Sequence, residues 1–140
     1  MVTPNKISDE IRQKLIQSAI EVRKRAYVPY SGYPVGAALL GDSGKVYEGI
    51  NVENASFPLT NCAERSAVFS AVSQGERHFI AIAVVTENAG MPCGACRQVL
   101  YEFDPDAWVI VADTNGKIKT EARVTEILPG AFGPKDLPRR

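Results

Sequence analysis

The feature of this sequence that most constrains its fold is an apolar segment, FIAIAVVTE, at residues 79–87. The segment is rich in β-branched residues and fully apolar at its centre, which is typical of a strand that is covered on both faces. Helical patterns flank it, at residues 62–75 before it and at residues 93–103 after it. Alternating strands and helices of this kind predict an α/β fold, in which a mixed β-sheet is covered by α-helices.

Further patterns complete the alternation without an internal repeat or a linker. An apolar stripe at helical spacing predicts a first helix, which Ser8 or Asp9 caps. Strands are also expected at residues 35–40 and 45–54. Residues 107–124 are expected to form a strand, an Asn115-Gly116 turn and an edge strand. Residues 125–140 are expected to form a short helical turn followed by a Pro/Gly-rich tail. We therefore expect one domain over residues 1–140.

Composition excludes several classes of partner. Lys plus Arg and Asp plus Glu both total 16, so no net charge favours a nucleic acid or an anionic membrane as a partner. No apolar run is long enough to cross a bilayer. The first ten residues are polar and lack the apolar core of a signal peptide, so we expect a cytoplasmic protein with reduced cysteines.

The chain has three cysteines, which lie in two short motifs. Cys62 belongs to NCAERSAV at 61–68, and Cys93 and Cys96 belong to MPCGACRQVL at 91–100. Buried structural cysteines are one interpretation. A redox C-x-x-C pair is another, but that motif usually follows the first strand of a thioredoxin-like unit and leaves Cys62 unexplained.

Two further interpretations involve zinc. A structural zinc site is closed by four ligands, and the single histidine, His78, opens an apolar strand and is a poor fourth ligand. A catalytic zinc site needs only three protein ligands and keeps one position open. This interpretation explains the most, because both cysteine motifs lie at predicted helix starts, where the helix dipole favours thiolates.

Two residues that follow Cys62 fit a catalytic zinc site. Glu64 lies in the first turn of its helix and is a candidate general acid and base. The alternative is an ordinary first-turn acid that complements the helix dipole. Arg65 is expected to donate hydrogen bonds to a ligating thiolate and to offset its negative charge. Its alternative is a solvated surface arginine.

Longer segments resemble a known family. NVENASFPLTNCAERSA and PCGACRQVLYEF are similar to the motifs of the small, homotetrameric, zinc-dependent cytidine deaminases, as are AYVPYSGYPVGAAL and ILPGAFGPKDL. The resemblance runs from about Ile7 to Leu137. A cysteine at the first metal position, where many deaminases of bases in nucleic acids carry histidine, indicates the branch that acts on free nucleosides.

The resemblance implies a fold, a reaction and a set of partners. The fold is a five-stranded mixed β-sheet between α-helices, in a three-layer αβα arrangement. The reaction is the hydrolytic deamination of cytidine, and of 2′-deoxycytidine, to the uridine form and ammonia in pyrimidine salvage. The cofactor is one Zn²⁺ per chain. The implied partners are the nucleoside substrate and other copies of the chain in a homotetramer, with no nucleic acid and no membrane.

The resemblance also assigns roles to individual residues. It implies zinc ligands at Cys62, Cys93 and Cys96, proton transfer by Glu64, ribose contacts from Asn51 and Glu53, a pyrimidine contact from the Ala63 backbone, and substrate contacts from Tyr33, Phe57 and Phe132. Tyr33 stands where the family commonly has a Phe that stacks on the base. Phe57 stands where many members have Tyr, so a hydroxyl is missing there, and both Phe57 and Phe132 would reach a neighbouring subunit's site.

Several of these residues also have structural explanations. Asn51 and Glu53 are two apart at a strand end, which directs both side chains to one side, but turn chemistry would also explain them. Tyr33 and Phe132 are alternatively a packed loop aromatic and a hydrophobic anchor. Competing functions are another aminopyrimidine deaminase, disfavoured by the NVEN and AFGP segments, and a non-catalytic zinc module, which has no use for Glu64.

Overall fold

The computed structural model describes residues 4–138. Its helices are α1 (Asp9–Arg23), α2 (Ala63–Ser73), α3 (Gly94–Phe103) and the single-turn α4 (Val124–Ile127), and its strands are β1 (Gly36–Gly41), β2 (Val46–Ile50), β3 (Phe79–Val85), β4 (Trp108–Ala112) and β5 (Ile118–Arg123). This order is the predicted alternation. Ser8 caps α1, because its Oγ accepts a hydrogen bond from the Ile11 amide at 3.2 Å.

The five strands form one mixed sheet, as expected, in the order β2-β1-β3-β4-β5. β3 and β4 are parallel, whereas the other neighbouring strands are antiparallel. β3 lies at the centre and is buried along its length except for the half-buried Ile80. Because β3 and β4 are parallel, their carboxyl ends meet at one edge of the sheet, and α3 begins close beyond that edge.

Helices cover both faces of the sheet and so form three layers. One core lies between α1 and one face, where Leu15 and Ile16 pack near Ala83 and Ile110. The second core lies between the opposite face and the α2–α3 layer. Successive strand residues alternate between the two cores, since Ile82 and Val84 belong to the second core and Ala81 and Ala83 to the first.

Two glycines let a helix approach each face closely. A Cβ on Gly36 would lie 2.1 Å from the Ala19 carbonyl oxygen of α1, and a Cβ on Gly49 would lie 2.3 Å from the Ala63 carbonyl oxygen of α2. The first turn of α2 therefore packs directly on β2. This contact places the start of α2, with Cys62 immediately before it, against the sheet.

β2 is shorter than the predicted strand at 45–54. It ends at Ile50, and Val52 makes only single bridges, one with Tyr27 and one with Asn61. The chain leaves the sheet because residues 51–53 pair with two separate loops instead of with one strand. None of the helices within residues 4–138 is both long enough and apolar enough to cross a membrane.

Candidate active site

Two helix starts bring the three cysteines together. Cys62 is the N-cap of α2, Cys93 is the N-cap of α3, and Cys96 lies in the first turn of α3. The Sγ atoms of Cys62 and Cys93 are 4.0 Å apart, and those of Cys93 and Cys96 are 3.4 Å apart. Tetrahedral zinc with Zn–S bonds of about 2.3 Å separates its sulfur ligands by about 3.8 Å, so the donor set fits zinc.

Within residues 4–138, these three thiols are the only group of three or more histidine, cysteine or carboxylate side chains that could hold a metal ion, and their Sγ atoms all lie within 4.8 Å of one another. His78 precedes β3, whereas the cysteines lie beyond its other end, and the His78 imidazole is 3.6 Å from the Asp104 carboxylate. The geometry therefore offers three protein ligands and leaves a tetrahedral ion one further position.

Of Cys62 and Cys96, Cys62 loses its proton more readily, because the groups around it stabilise the thiolate. Hydrogen bonding with Cys96 and the Arg65 guanidinium lower the pKa of Cys62 to about 5. Arg65 Nη2 donates to Cys62 Sγ at 3.1 Å. The same pairing with Cys62, together with burial, raises the pKa of the Cys96 thiol. Because thiolates repel one another, a divalent cation is needed to keep all three ionised.

Glu64 is the buried acid of the site. Its side chain is 4% exposed, and it lines the same cavity as Cys62 and Cys93. Burial raises the pKa of the Glu64 carboxyl above its ordinary value, because the charged form loses hydration. A carboxyl whose pKa is raised toward neutrality is suited to take up and release protons during a reaction.

The thiols of Cys62 and Cys93 and the carboxyl group of Glu64 line a cavity of about 270 Å³. This volume lies at the small end of the range for ligand pockets and suits a compact metabolite. The predicted residues that line the cavity are Tyr33, Asn51, Glu53, Cys62, Ala63, Glu64 and Cys93. Cys96 is buried behind them, and Arg65 contacts Cys62 from the side of α2.

The Asn51 side chain ties the end of β2 to the loop before β1. Its Oδ1 accepts from the Val35 amide at 2.9 Å, and its Nδ2 donates to the Tyr33 carbonyl at 2.9 Å. An amide side chain has two N–H donors and two acceptor lone pairs. One N–H and one lone pair of Asn51 therefore stay available to a ligand in the cavity.

Glu53 holds the same loop from a second point. One carboxylate oxygen accepts from the amides of Tyr30 at 2.9 Å and Ser31 at 3.1 Å, and the other accepts from the Ser31 hydroxyl. The Ser31 hydroxyl is the main cause that lowers the pKa of Glu53. The carboxylate therefore stays ionised at neutral pH and retains lone pairs for ligand hydroxyl groups.

Sequence reasoning missed several residues of this wall. Ser31, Thr86, Gly90 and Met91 also line the cavity. The Tyr33 hydroxyl donates to Asn88 Oδ1 at 2.6 Å, although the two residues are 55 positions apart. The Ser-Gly pair at 31–32 signals only a turn, and no local pattern in the chain relates Asn88 to Tyr33.

Phe57 and Phe132 lie outside the cavity of their own chain and are 68% and 59% exposed. The Phe57 ring meets the Tyr30 ring edge-on at 5.6 Å, in a shallow hollow that shares Ser31, Glu53 and Thr60 with the cavity. The Phe132 carbonyl accepts from Gln98 Nε2 of α3 at 2.7 Å. Both aromatic rings therefore present apolar surface that the described part of the chain, residues 4–138, leaves uncovered.

Known proteins are similar to this chain in sequence and in fold. The family described as the cytidine and deoxycytidylate deaminase zinc-binding region matches residues 9–112. Proteins named cytidine deaminase are 54% identical in Halalkalibacterium halodurans, over 90% of this chain and 97% of that one, and 50% identical in Sporosarcina psychrophila, over 89% and 93%. The crystal structure of cytidine deaminase from Burkholderia pseudomallei matches with a TM-score of 0.83 and 46% identity, covering 90% of this chain and 100% of that one.

Proposed function

The chain belongs to the cytidine and deoxycytidylate deaminase family, and from this membership we propose that it hydrolyses cytidine to uridine and ammonia. The observation that carries the proposal is the single cavity lined by thiols at zinc-binding separation and by the buried acid Glu64. We extend the proposal to 2′-deoxycytidine, to a role in pyrimidine salvage and to the cytoplasm, where the three thiols stay reduced.

Cys62, Cys93 and Cys96 would hold one zinc ion per chain. Bound zinc supplies a Lewis acid that lowers the pKa of a water molecule from about 15.7 to about 7. Arg65 donates to Cys62 Sγ and offsets part of the thiolate charge, which would otherwise weaken this effect. The helix starts fix the backbones of Cys62 and Cys93 before any ligand arrives, since both residues occupy the N-cap positions of their helices.

Glu64 would move the protons of the reaction. Its carboxylate takes a proton from the attacking water and delivers it to N3 of the pyrimidine, which makes C4 more electrophilic. After attack on C4, the carboxylate takes the remaining proton of the added water and passes it to the amino group, the C4–N bond breaks, and ammonia leaves. Positioned proton transfer of this kind contributes about 10²–10⁴ in rate. Burial of Glu64 supports the role because it raises the pKa of the acid.

The other cavity residues would select a nucleoside. Asn51 and Glu53 retain hydrogen-bonding capacity toward the cavity, which suits the vicinal hydroxyls of ribose. The Ala63 backbone, in the first turn of α2, has an N–H without an intrahelical partner, and it would contact the pyrimidine edge from the cavity wall. The Tyr33 ring supplies an aromatic surface for stacking on the base.

The proposed function is tested by mixing purified protein with cytidine and measuring the decrease in the ultraviolet absorbance of cytidine. We expect rapid turnover of cytidine and 2′-deoxycytidine, and at least about a hundredfold lower kcat/KM with cytosine, which lacks the hydroxyls of the sugar. CMP should also react poorly, because it adds negative charge to a cavity that already contains the Glu53 carboxylate. No loss of cytidine absorbance with zinc-loaded protein would overturn the proposed function.

A matched pair of variants tests the role of Glu64. Glu64→Gln should keep its zinc and its melting temperature but lose about 10²–10⁴ in kcat, because an amide does not exchange the proton. Glu102→Gln, an exposed position on α3, should behave like the parent protein. Turnover by Glu64→Gln within tenfold of the parent would contradict the proton-transfer role, and loss of zinc would assign Glu64 to the metal.

We also propose a homotetramer in which Phe57 and Phe132 reach neighbouring sites. Their exposure outside the cavity of their own chain supports this assembly. Phe132→Ala and Glu64→Ala proteins, each weakly active, would be dissociated and reassembled together. If Phe132 acts in a neighbour's site, some mixed sites carry both intact residues, and activity exceeds that of either parent. A monomer in light scattering, or mixed oligomers without a gain, would contradict the proposal.

A further inference from the structure

The loop between β3 and α3 adopts a conformation that needs support from side chains. Ala89 has a φ of 54°, in the left-handed region that non-glycine residues rarely adopt, and it is buried. The Gly90 amide donates to Thr86 Oγ1 at 2.8 Å, and Thr86 is 3% exposed. Thr86 and Gly90 line the cavity, so this strained turn, at residues 86–90, is part of the cavity wall.

Tyr33 is held at three points around its own backbone and ring. Its amide donates to Ser31 Oγ at 3.1 Å, and its carbonyl accepts from Asn51 Nδ2 at 2.9 Å. Its hydroxyl donates to Asn88 Oδ1 at 2.6 Å. A phenol that is fixed at both the backbone and the hydroxyl end has little freedom to swing about χ1 or χ2. The orientation of the Tyr33 ring in the cavity is therefore set from both ends.

The turn at 86–90 is shaped around the Tyr33 hydroxyl. A Cβ on Gly90 would lie 2.6 Å from the Tyr33 hydroxyl oxygen, so a side chain at this position would displace that hydroxyl. The Thr86 hydroxyl donates to the same Asn88 oxygen at 3.2 Å. Asn88 Oδ1 thus joins two cavity-lining residues, one from the loop before β1 and one from the end of β3.

We propose that Asn88 is a positioning residue for substrate binding: by accepting hydrogen bonds from Tyr33 and Thr86, it holds the Tyr33 ring and the turn at 86–90 as one wall of the cavity. The inference rests on the proposed function, because the ring is placed to stack on the pyrimidine of that substrate. Asn88 touches the wall and not the reacting atoms, so its loss weakens ground-state binding and leaves the proton transfers intact.

The test is a double-mutant cycle on Tyr33→Phe and Asn88→Ala, with steady-state kinetics on cytidine. Each single variant should raise KM by about three- to tenfold, the worth of one net hydrogen bond, with kcat within twofold of the parent. The double variant should be no worse than Asn88→Ala, because Asn88→Ala already removes the bond from the Tyr33 hydroxyl, together with the bond from Thr86. Asn88→Asp keeps the acceptor oxygen and should restore KM to within about twofold.

Glu87→Ala is the matched control, since Glu87 is exposed in the same turn and should leave KM unchanged. Additive effects in the cycle, or variants that lower only the melting temperature, would overturn the inference. Amide hydrogen exchange tests the Asn88 inference independently of catalytic activity. The Gly90 amide should exchange faster in Tyr33→Phe and Asn88→Ala than in Glu87→Ala. A parent protein that releases no uridine would refute the proposed function, whereas unchanged Gly90 exchange would refute the Asn88 inference whatever the activity.

Discussion

The two ends of the cavity are built in different ways. At the metal end, Cys62 and Glu64 lie two residues apart at the start of α2, and Cys93 and Cys96 lie three apart at the start of α3. The opposite wall is assembled by hydrogen bonds between residues that are 16, 23 and 55 positions apart in the chain. Helix backbones therefore orient the groups of the proposed chemistry, whereas long-range side-chain hydrogen bonds shape the surface that would bind the substrate.

This difference predicts that substitutions at the two ends of the cavity will change different kinetic parameters. Changes at the metal end should reduce metal content or kcat, because they remove groups that act on the reacting atoms. Changes in the wall should raise KM or reduce stability, because they loosen loops whose positions depend on a few hydrogen bonds.

The largest effect is expected for Cys96→Ala. Cys96 is fully buried, and its Sγ lies 3.4 Å from that of Cys93, so removing it leaves only two thiol ligands for the ion. Elemental analysis after dialysis should find about one zinc per chain in the parent and little in the variant, with no measurable turnover. Glu102→Ala, on the exposed side of the same helix, should keep both the zinc content and the turnover of the parent protein. A Cys96→Ala protein with full zinc and full activity would contradict the assignment of the ligands.

A smaller effect is expected for Arg65→Gln, because Arg65 contacts the Cys62 thiol and is not one of the residues that line the cavity. Loss of the guanidinium leaves the thiolate charge of Cys62 unopposed, which raises the pKa of groups that must lose a proton at the site. Turnover at pH 7 should fall about 10- to 100-fold, and the rising limb of the pH–rate profile should move to higher pH. Arg25→Gln, at a 72% exposed side chain, is the control. An unchanged profile would make Arg65 an ordinary surface residue.

The smallest effect concerns the pH dependence of stability at Glu53. The Ser31 hydroxyl lowers the pKa of the folded carboxyl below that of the unfolded chain. The unfolded state therefore binds the proton more tightly, and stability from Glu53 is present above the unfolded pKa of about 4.3 and is lost as pH falls through the folded pKa.

Thermal melting of Glu53→Gln measures this contribution. The variant should melt about 2 °C below the parent at pH 7, and the difference should shrink as the pH falls below about 4. Glu87→Gln, at an exposed carboxyl outside this cluster, should show no such pH-dependent difference. A gap between parent and Glu53→Gln that grows on acidification would have the opposite sign to the one predicted.

The fold and the metal end were predictable from the sequence for the same reason. Helix starts, strand patterns and the C-x-x-C spacing are local properties, and the five-stranded mixed sheet with helices on both faces is confirmed. The predicted strand at 45–54 was too long, because its alternating pattern does not reveal that Val52 bridges Tyr27 and Asn61 instead of a strand. Local pattern reports the type of an element better than its end.

The cavity wall was only partly predictable. The resemblance drew attention to Tyr33, Asn51 and Glu53, and the structure adds that Asn51 and Glu53 also secure the loop at 30–35. The role of Asn88 could not be predicted from the sequence, because its partner Tyr33 is distant in the chain. A hydrogen bond between two side chains also produces no periodic pattern of residues. The roles of Phe57 and Phe132 stay predictions, since they depend on contacts with a neighbouring chain.

We propose that three thiols from two helix starts bind a zinc ion and leave one position open for the reaction. X-ray absorption at the zinc edge of the purified, dialysed protein tests it most directly. We predict three sulfur neighbours at about 2.3 Å and one oxygen or nitrogen neighbour at about 2.0–2.1 Å. Four sulfur neighbours, a shell without sulfur, or protein that is active without zinc would contradict the claim.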